Sequence, residues 1–158
     1  MRLTKKYQAL LKVKLESSIH EVQTHLQRMQ QAFSALELLH TFPLSTTAFE
    51  TILTTPSQLS YADQIIYRFS KAQDTLGGKL FKAYLEYQGE NTDKPFLDIL
   101  SALEKINILS IDAWFELREI RNEIAHEYDE SDGHGQAVLN LIYQHKDEMG
   151  QILGMVQG

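Results

Sequence analysis

The sequence predicts an all-α protein, an antiparallel up-and-down bundle of four to five helices. Three observations carry that reading. Apolar residues recur at steps of three and four through most of the chain, and no segment alternates as a half-buried strand does. Only three prolines interrupt the 158 residues, and 43% of the residues are apolar. Such a chain supports one domain with a substantial core and argues against disorder. Residues 1–158 are therefore read as a single helical domain.

The first helix is expected over residues 3–40, where Leu15, Ile19, Val22, Leu26, Met29, Phe33 and Leu36 form one amphipathic stripe. Residues 40–60 are rich in Thr, Ser and Pro and read as a connection, with one helical turn around Phe49–Leu53. Ser60, with Asp63 three residues on, is the expected N-cap of a second helix. Its core face is Ile65, Phe69, Ala72, Leu76, Leu80, Ala83 and Tyr87. Asp93 is expected to cap a third helix with Pro95 in its first turn and Phe96, Leu100, Leu103 and Ile106 facing the core. Ser110 caps a fourth, expected from Ile111 to about Asp129. "DESDGHG" breaks it, and a last helix is expected from Gln136 to Val156.

Composition excludes several chemistries. With no cysteine there are no disulfides, thiol nucleophiles or thiolate metal sites. Histidines lack metal spacing: there is no HExxH, and neither His20 with His25 nor His134 with His145 falls into a ligand register. His126 and Glu130 could share a metal at i, i+4, but nothing completes the set, so no metal and no cofactor is expected. No glycine-rich loop follows a strand, which removes nucleotide-binding folds built on one. The amino terminus lacks a signal-peptide core, and no apolar run reaches the roughly 18–20 residues that span a bilayer. A cytoplasmic protein with no membrane partner is expected. The net charge of −6 is a poor basis for nonspecific nucleic-acid binding, which rests on neutralising phosphates.

Two regions stand out against that background. On a wheel of about 100° per residue, Arg68, Lys71, Lys79 and Lys82 share a sector of roughly 80° that holds no acid between residues 68 and 82. They read either as a solvated flank whose stems lie along the core edge or as a phosphate-contacting stripe. Gly77 and Gly78 sit mid-helix at about 1 kcal/mol each relative to alanine, which points to close helix packing or to the near approach of a ligand.

The second region is "RNEIAHEY", residues 121–128. Arg121 falls within the apolar stripe of Leu117, Ile124 and Tyr128, flanked by Ile120 and Trp114, so it needs an acid, carbonyls or a site open to water. A second face holds Phe115, Arg118, Asn122, Ala125 and His126, which suggests packing against a second subunit. Taken singly, His126 reads as a helix-end histidine, Tyr128 as a core tyrosine and Arg121 as half of an ion pair. Residues 116–132 also carry seven acids against two arginines, a field that repels RNA and favours a basic partner.

Together these residues resemble the RX4–6H motif of HEPN-domain ribonucleases, in the HxY form of HepT-type toxins. Arg121, His126 and Tyr128 match the motif positions, and Asn122 follows the arginine as in that family. "DQIIYRFSKAQDTLGGKLFKAYL" (63–85) and "LSIDAWFELREIRNEIAHEY" (109–128) resemble the family's second and fourth helices. The resemblance implies a HEPN-like bundle that forms a homodimer, with motif residues of both subunits in one cleft. It implies a metal-independent endoribonuclease toxin with Arg121 and His126 catalytic and Asn122 and Tyr128 supporting. It further implies a nucleotidyltransferase antitoxin of the MNT type that attaches AMP to Tyr128. Arg68, Lys71, Lys79, Lys82 and Arg118 are the candidate contacts to RNA phosphates. The alternative is a noncatalytic substrate-binding or regulatory subunit of a small nucleotidyltransferase, with Arg121 structural.

The chemistry fits the residue types. Cleavage without a metal needs the 2′-hydroxyl deprotonated, the leaving oxygen protonated and the charge on phosphorus stabilised. Histidine suits both proton transfers, and arginine suits the phosphate. A dimer supplies a second histidine. Arg121 and His126 diverge by about 140° along an ideal helix, so a cleft at a two-fold axis or a loosened helix end has to bring them together.

Overall fold

A computed structural model describes residues 4–124 and 133–158. Every regular element among them is helical. Helix α1 spans Lys5–Glu37, α2 Thr46–Thr54 and α3 Pro56–Thr75. A π-helical turn, Leu76–Leu80, then runs directly into α4, Phe81–Tyr87. Helices α5 (Phe96–Lys105), α6 (Ile111–Ile124), α7 (His134–His145) and α8 (Glu148–Gln157) follow.

Side-chain pairings fix the topology. Along α1 and the α3–α4 rod, His25 meets Arg68 and Glu21 meets Lys79, so the two run antiparallel. Arg121 meets Asp74, and Trp114 packs on Phe81, which sets α6 antiparallel to that rod. His134 meets Glu123 while His145 approaches Glu116, so α7 returns antiparallel to α6. The result is the up-and-down four-helix bundle expected of the sequence, with α2 and α5 in its connections. Phe33, Phe69, Leu76, Leu117, Leu139 and Ile142 are fully inaccessible at its centre.

Several local expectations need correction. Residues 46–54 form a two-turn helix rather than a single turn, because Ser45 caps it by accepting from the Ala48 N–H at 3.1 Å. The next helix starts at Pro56, not Ser60. Proline suits a first helical position, and the Ser60 hydroxyl donates back to the Pro56 carbonyl. Asp93 caps nothing in α5, whose N-terminal flank is Pro95; the core positions of α5 are Ile99, Leu100 and Leu103, while Ile106 is exposed. Ser110 does cap α6, accepting from the Ala113 N–H. The predicted end of that helix near Asp129 lies outside the described residues. The last predicted helix is two, α7 and α8, broken at Lys146–Asp147. Gly133, at φ +85°, supplies the left-handed residue just before α7.

The π turn accounts for the largest misreading. The Phe81 N–H bonds the Leu76 carbonyl five residues back, which places one surplus residue in the rod. That turns the downstream helix back by roughly 100° relative to a uniform α-helix. Phe81 and Leu85, which a uniform wheel points away from the core, are buried at 0% and 1%, and Tyr87 is only partly covered.

The two glycines in this turn differ. A Cβ on Gly77 would lie 3.1 Å from Trp114 Cζ2, whereas one on Gly78 would meet nothing within 4 Å. Close packing therefore explains Gly77 alone. Gly78→Ala is expected to raise stability by up to about 1 kcal/mol through helix propensity. Gly77→Ala is expected to lower it by about 1–2 kcal/mol through overpacking against a 2% exposed tryptophan. Urea unfolding of the two variants measures both, and equal stabilities would contradict the contact.

Candidate functional site

A concavity of about 530 Å³ lies between the α3–π–α4 rod, the start of α5 and α6. It is lined by Gln73, Asp74, Gly77, Gly78, Phe96, Trp114, Arg118, Arg121 and Asn122. The structure thus brings Arg118, Arg121 and Asn122 to one cavity, although the wheel assigned Arg121 to a separate face. The three directions span only about 100° on an ideal helix; dividing α6 into opposed stripes obscured that.

Arg121 has an acid partner. Its Nε and Nη2 donate to Asp74 Oδ1 and Oδ2, both at 3.4 Å. The side chains are 34% and 51% exposed, so water screens the pair, which contributes about 0–1 kcal/mol. Long contacts at that exposure leave Arg121 free to exchange Asp74 for a phosphate. Arg118 is exposed and forms no ion pair among the described residues.

The cavity floor carries an unusual cost. Gln73 is 5% exposed and Trp114 2%, yet Gln73 Nε2 and Trp114 Nε1 have no hydrogen-bond partner among the described residues. A buried donor left unpaired costs about 1–3 kcal/mol, so two on the wall of one cavity need a reason. Sequence reasoning missed Gln73 and Asp74. A signal existed for Gln73, whose wheel direction falls at the edge of the apolar stripe of α3. None existed for Asp74, which lies 47 residues before its partner.

The acids of α6 lie elsewhere. Glu116, Glu119 and Glu123, with Asn122, Ile120, Leu141 and His145, line a second groove of about 500 Å³. At its edge His145 Nδ1 contacts Glu148 Oε1 at 2.7 Å and lies 4.0 Å from Glu116 Oε2. These three have ligand atoms within 4.8 Å of one another, a proximity that sequence spacing did not indicate. Helix α6 therefore shows cations to one groove and carboxylates to the other.

The basic stripe is divided by the π turn and partly occupied. Arg68 Nη1 donates to His25 Nδ1 at 2.9 Å, which places the ring proton on Nε2, and its guanidinium lies 5.2 Å from the Tyr67 ring. Lys71 is exposed, with Nζ 5.8 Å from the same ring. Lys79 pairs with Glu21 of α1 at 3.4 Å, an acid that the wheel of one helix could not reveal. Lys82 is exposed on a separate groove of about 460 Å³ shared with Lys14 and Lys79. Neither Lys71 nor Lys82 lines the cavity of Arg118 and Arg121.

Burial and the neighbouring Arg68, with smaller effects of Lys71 and Arg28, hold the His25 pKa below its usual value; Glu21 opposes them. The neutral ring is thus favoured in the folded state, and the unfolded chain binds the proton more tightly. This contribution is complete above the ordinary histidine pKa of about 6.5 and is lost as pH falls toward the lowered value. The urea midpoint is expected to drop between pH 7.5 and 5.5, and to drop less in His25→Gln. Equal losses in parent and variant would remove His25 from the account.

His126 and Tyr128, the remaining motif positions, lie outside the described residues, as does Glu130. Among the described residues no helix is long and apolar enough to cross a membrane. No family model matches the chain, and searches of curated proteins and of solved structures find no match.

Proposed function

We propose that the chain is a metal-independent endoribonuclease, the toxin of a toxin–antitoxin pair, with Arg121 and His126 catalytic. The observation that carries this reading is one cavity lined by Arg118, Arg121 and Asn122, on a helix whose sequence continues directly into His126 and Tyr128. Arg121 binds the scissile phosphate and stabilises the charge that grows on it. His126 moves the protons, one copy from each subunit of a homodimer taking the 2′-hydroxyl proton and the other protonating the 5′-oxygen as it leaves. The new bond joins the 2′-oxygen to phosphorus, leaving a cyclic phosphate. Glu116, Glu119 and Glu123 line another groove, which supports the reading because those three carboxylates do not crowd the arginine cavity. The test is cleavage of single-stranded RNA by the purified chain in EDTA.

A second reading rests on the Asp74–Arg121 pair: a noncatalytic subunit of a nucleotidyltransferase, with Arg121 holding α6 to α3. A stable complex with that partner and no cleavage at any protein concentration would favour it.

Regulation through Tyr128 belongs to the first reading. A nucleotidyltransferase antitoxin transfers AMP from ATP to the tyrosine oxygen, releasing pyrophosphate, and the added charge and bulk exclude RNA. Co-expression is expected to add AMP to the intact mass of the wild type and not of Tyr128→Phe. An unchanged wild-type mass would contradict the modification.

A further inference from the structure

We infer that the cavity bounded by Gln73, Trp114, Arg118 and Arg121 is the binding pocket for a single unstacked nucleotide, with its base inward and its phosphate at the rim. The inference rests on the RNA-cleaving reading and assigns to it a base-holding site distinct from the reacting groups.

Four observations converge. Gln73 Nε2 and Trp114 Nε1 are buried donors without partners, on residues that are both more than nine-tenths covered. Both residues line the same cavity while the donor atoms themselves are covered, so a small shift of either side chain would offer them to a ligand that brings acceptors inward. Nucleobase carbonyls and ring nitrogens are such acceptors, and a glutamine amide offers the paired donor and acceptor that suits a base edge. The rim carries opposite chemistry. Arg118 has no ion pair among the described residues, and Arg121 is held only by long, half-exposed contacts to Asp74. Two guanidiniums so placed match a phosphate. The volume, about 530 Å³, falls within the roughly 300–1,000 Å³ of small-ligand pockets. Gly78 adds no side chain and leaves open space at the wall, while Phe96 supplies a half-buried aromatic face.

A bare phosphate would leave the inner donors unanswered, and a base alone would leave the arginines so. A nucleotide answers both. Asn122, also on the lining, precedes His126 by four residues in the sequence, so a nucleotide held here lies near the last described turn of α6. Asp74 becomes the resting partner of Arg121, displaced when phosphate enters.

Trp114 is the sole tryptophan and reports on its own pocket. The full-length chain carrying His126→Ala is titrated in EDTA with each nucleoside 5′-monophosphate, the matching nucleosides and inorganic phosphate, following tryptophan fluorescence and heat. A saturable fluorescence change with at least one monophosphate is expected, with inorganic phosphate producing none. Gln73→Leu is expected to raise that Kd about tenfold or more without lowering the melting temperature, because it deletes a buried unpaired group. Gln73→Met serves as a second variant, and Arg118→Ala is expected to weaken the monophosphate and leave the nucleoside unchanged. No saturable change, or binding by both Gln73→Leu and Gln73→Met as tight as that of the parent, overturns the pocket. Cleavage of RNA with unaltered KM and base preference in Gln73→Leu also overturns it while leaving the ribonuclease reading intact. Binding that depends on Gln73 in a protein that never cleaves RNA supports the pocket and removes the ribonuclease.

Discussion

Replacing His126 with alanine is expected to abolish metal-independent RNA cleavage, a loss of about 10²–10⁴-fold for a general acid–base group. A homodimer that uses one histidine as base and the other as acid loses both functions with one substitution. Arg121→Ala is expected to fall comparably, by about 10²–10³-fold, because the lost contact is strongest when charge peaks on phosphorus. Arg121→Lys should recover only part, since a lysine lacks the two-pronged geometry. Discontinuous assays on a fluorescent RNA in EDTA read all three. Cleavage by His126→Ala at the parental rate would end the assignment. The Asp74–Arg121 pair supplies an internal control. Asp74→Asn frees the arginine, so it should lower KM for RNA if Arg121 meets phosphate, whereas an arginine that only braces α6 gives no such change.

The second large effect concerns the fold beneath the site. Trp114→Ala is expected to cost about 3–5 kcal/mol in urea unfolding, the range for removing a large buried aromatic side chain. Its ring packs at 4.8 Å from Phe81 and 6.5 Å from Phe96, centroid to centroid, and rests against Gly77. The contact with Gly77 runs through Cζ2 and Cη2, atoms that phenylalanine lacks in that position. Gly77→Ala should therefore be destabilising in the parent and close to neutral in a Trp114→Phe background. A double-mutant cycle measures that coupling, and additive costs would show that the glycine answers to something other than the indole.

How much of this was legible in the sequence follows from which forces are local. The first helix was readable because Leu15, Val22, Met29 and Phe33 repeat at helical spacing and are all buried. Ser110 was readable because capping is decided within four residues. The face of residues 81–87 was not, because periodicity assumes a uniform helix and the surplus residue in the π turn breaks that assumption. The Lys79 partner, Glu21, and the Arg121 partner, Asp74, lie 58 and 47 residues away, and no single-helix projection reaches them. Arg118, Arg121 and Asn122 were recognised from residue type and spacing. The cavity that joins them to Gln73 and Trp114 came only from packing α3, α5 and α6 together.

The surplus residue between Leu76 and Leu80 also makes chain length at this point consequential. Deleting Gly78 would restore α-helical spacing and leave Phe81 and Leu85 turned inward and Lys82 outward, because the π turn already absorbs one residue. A substitution here changes one contact. Adding a residue to the turn would rotate everything up to Tyr87 by roughly another 100°, so the double glycine is a place where the chain can lose one letter but not gain one.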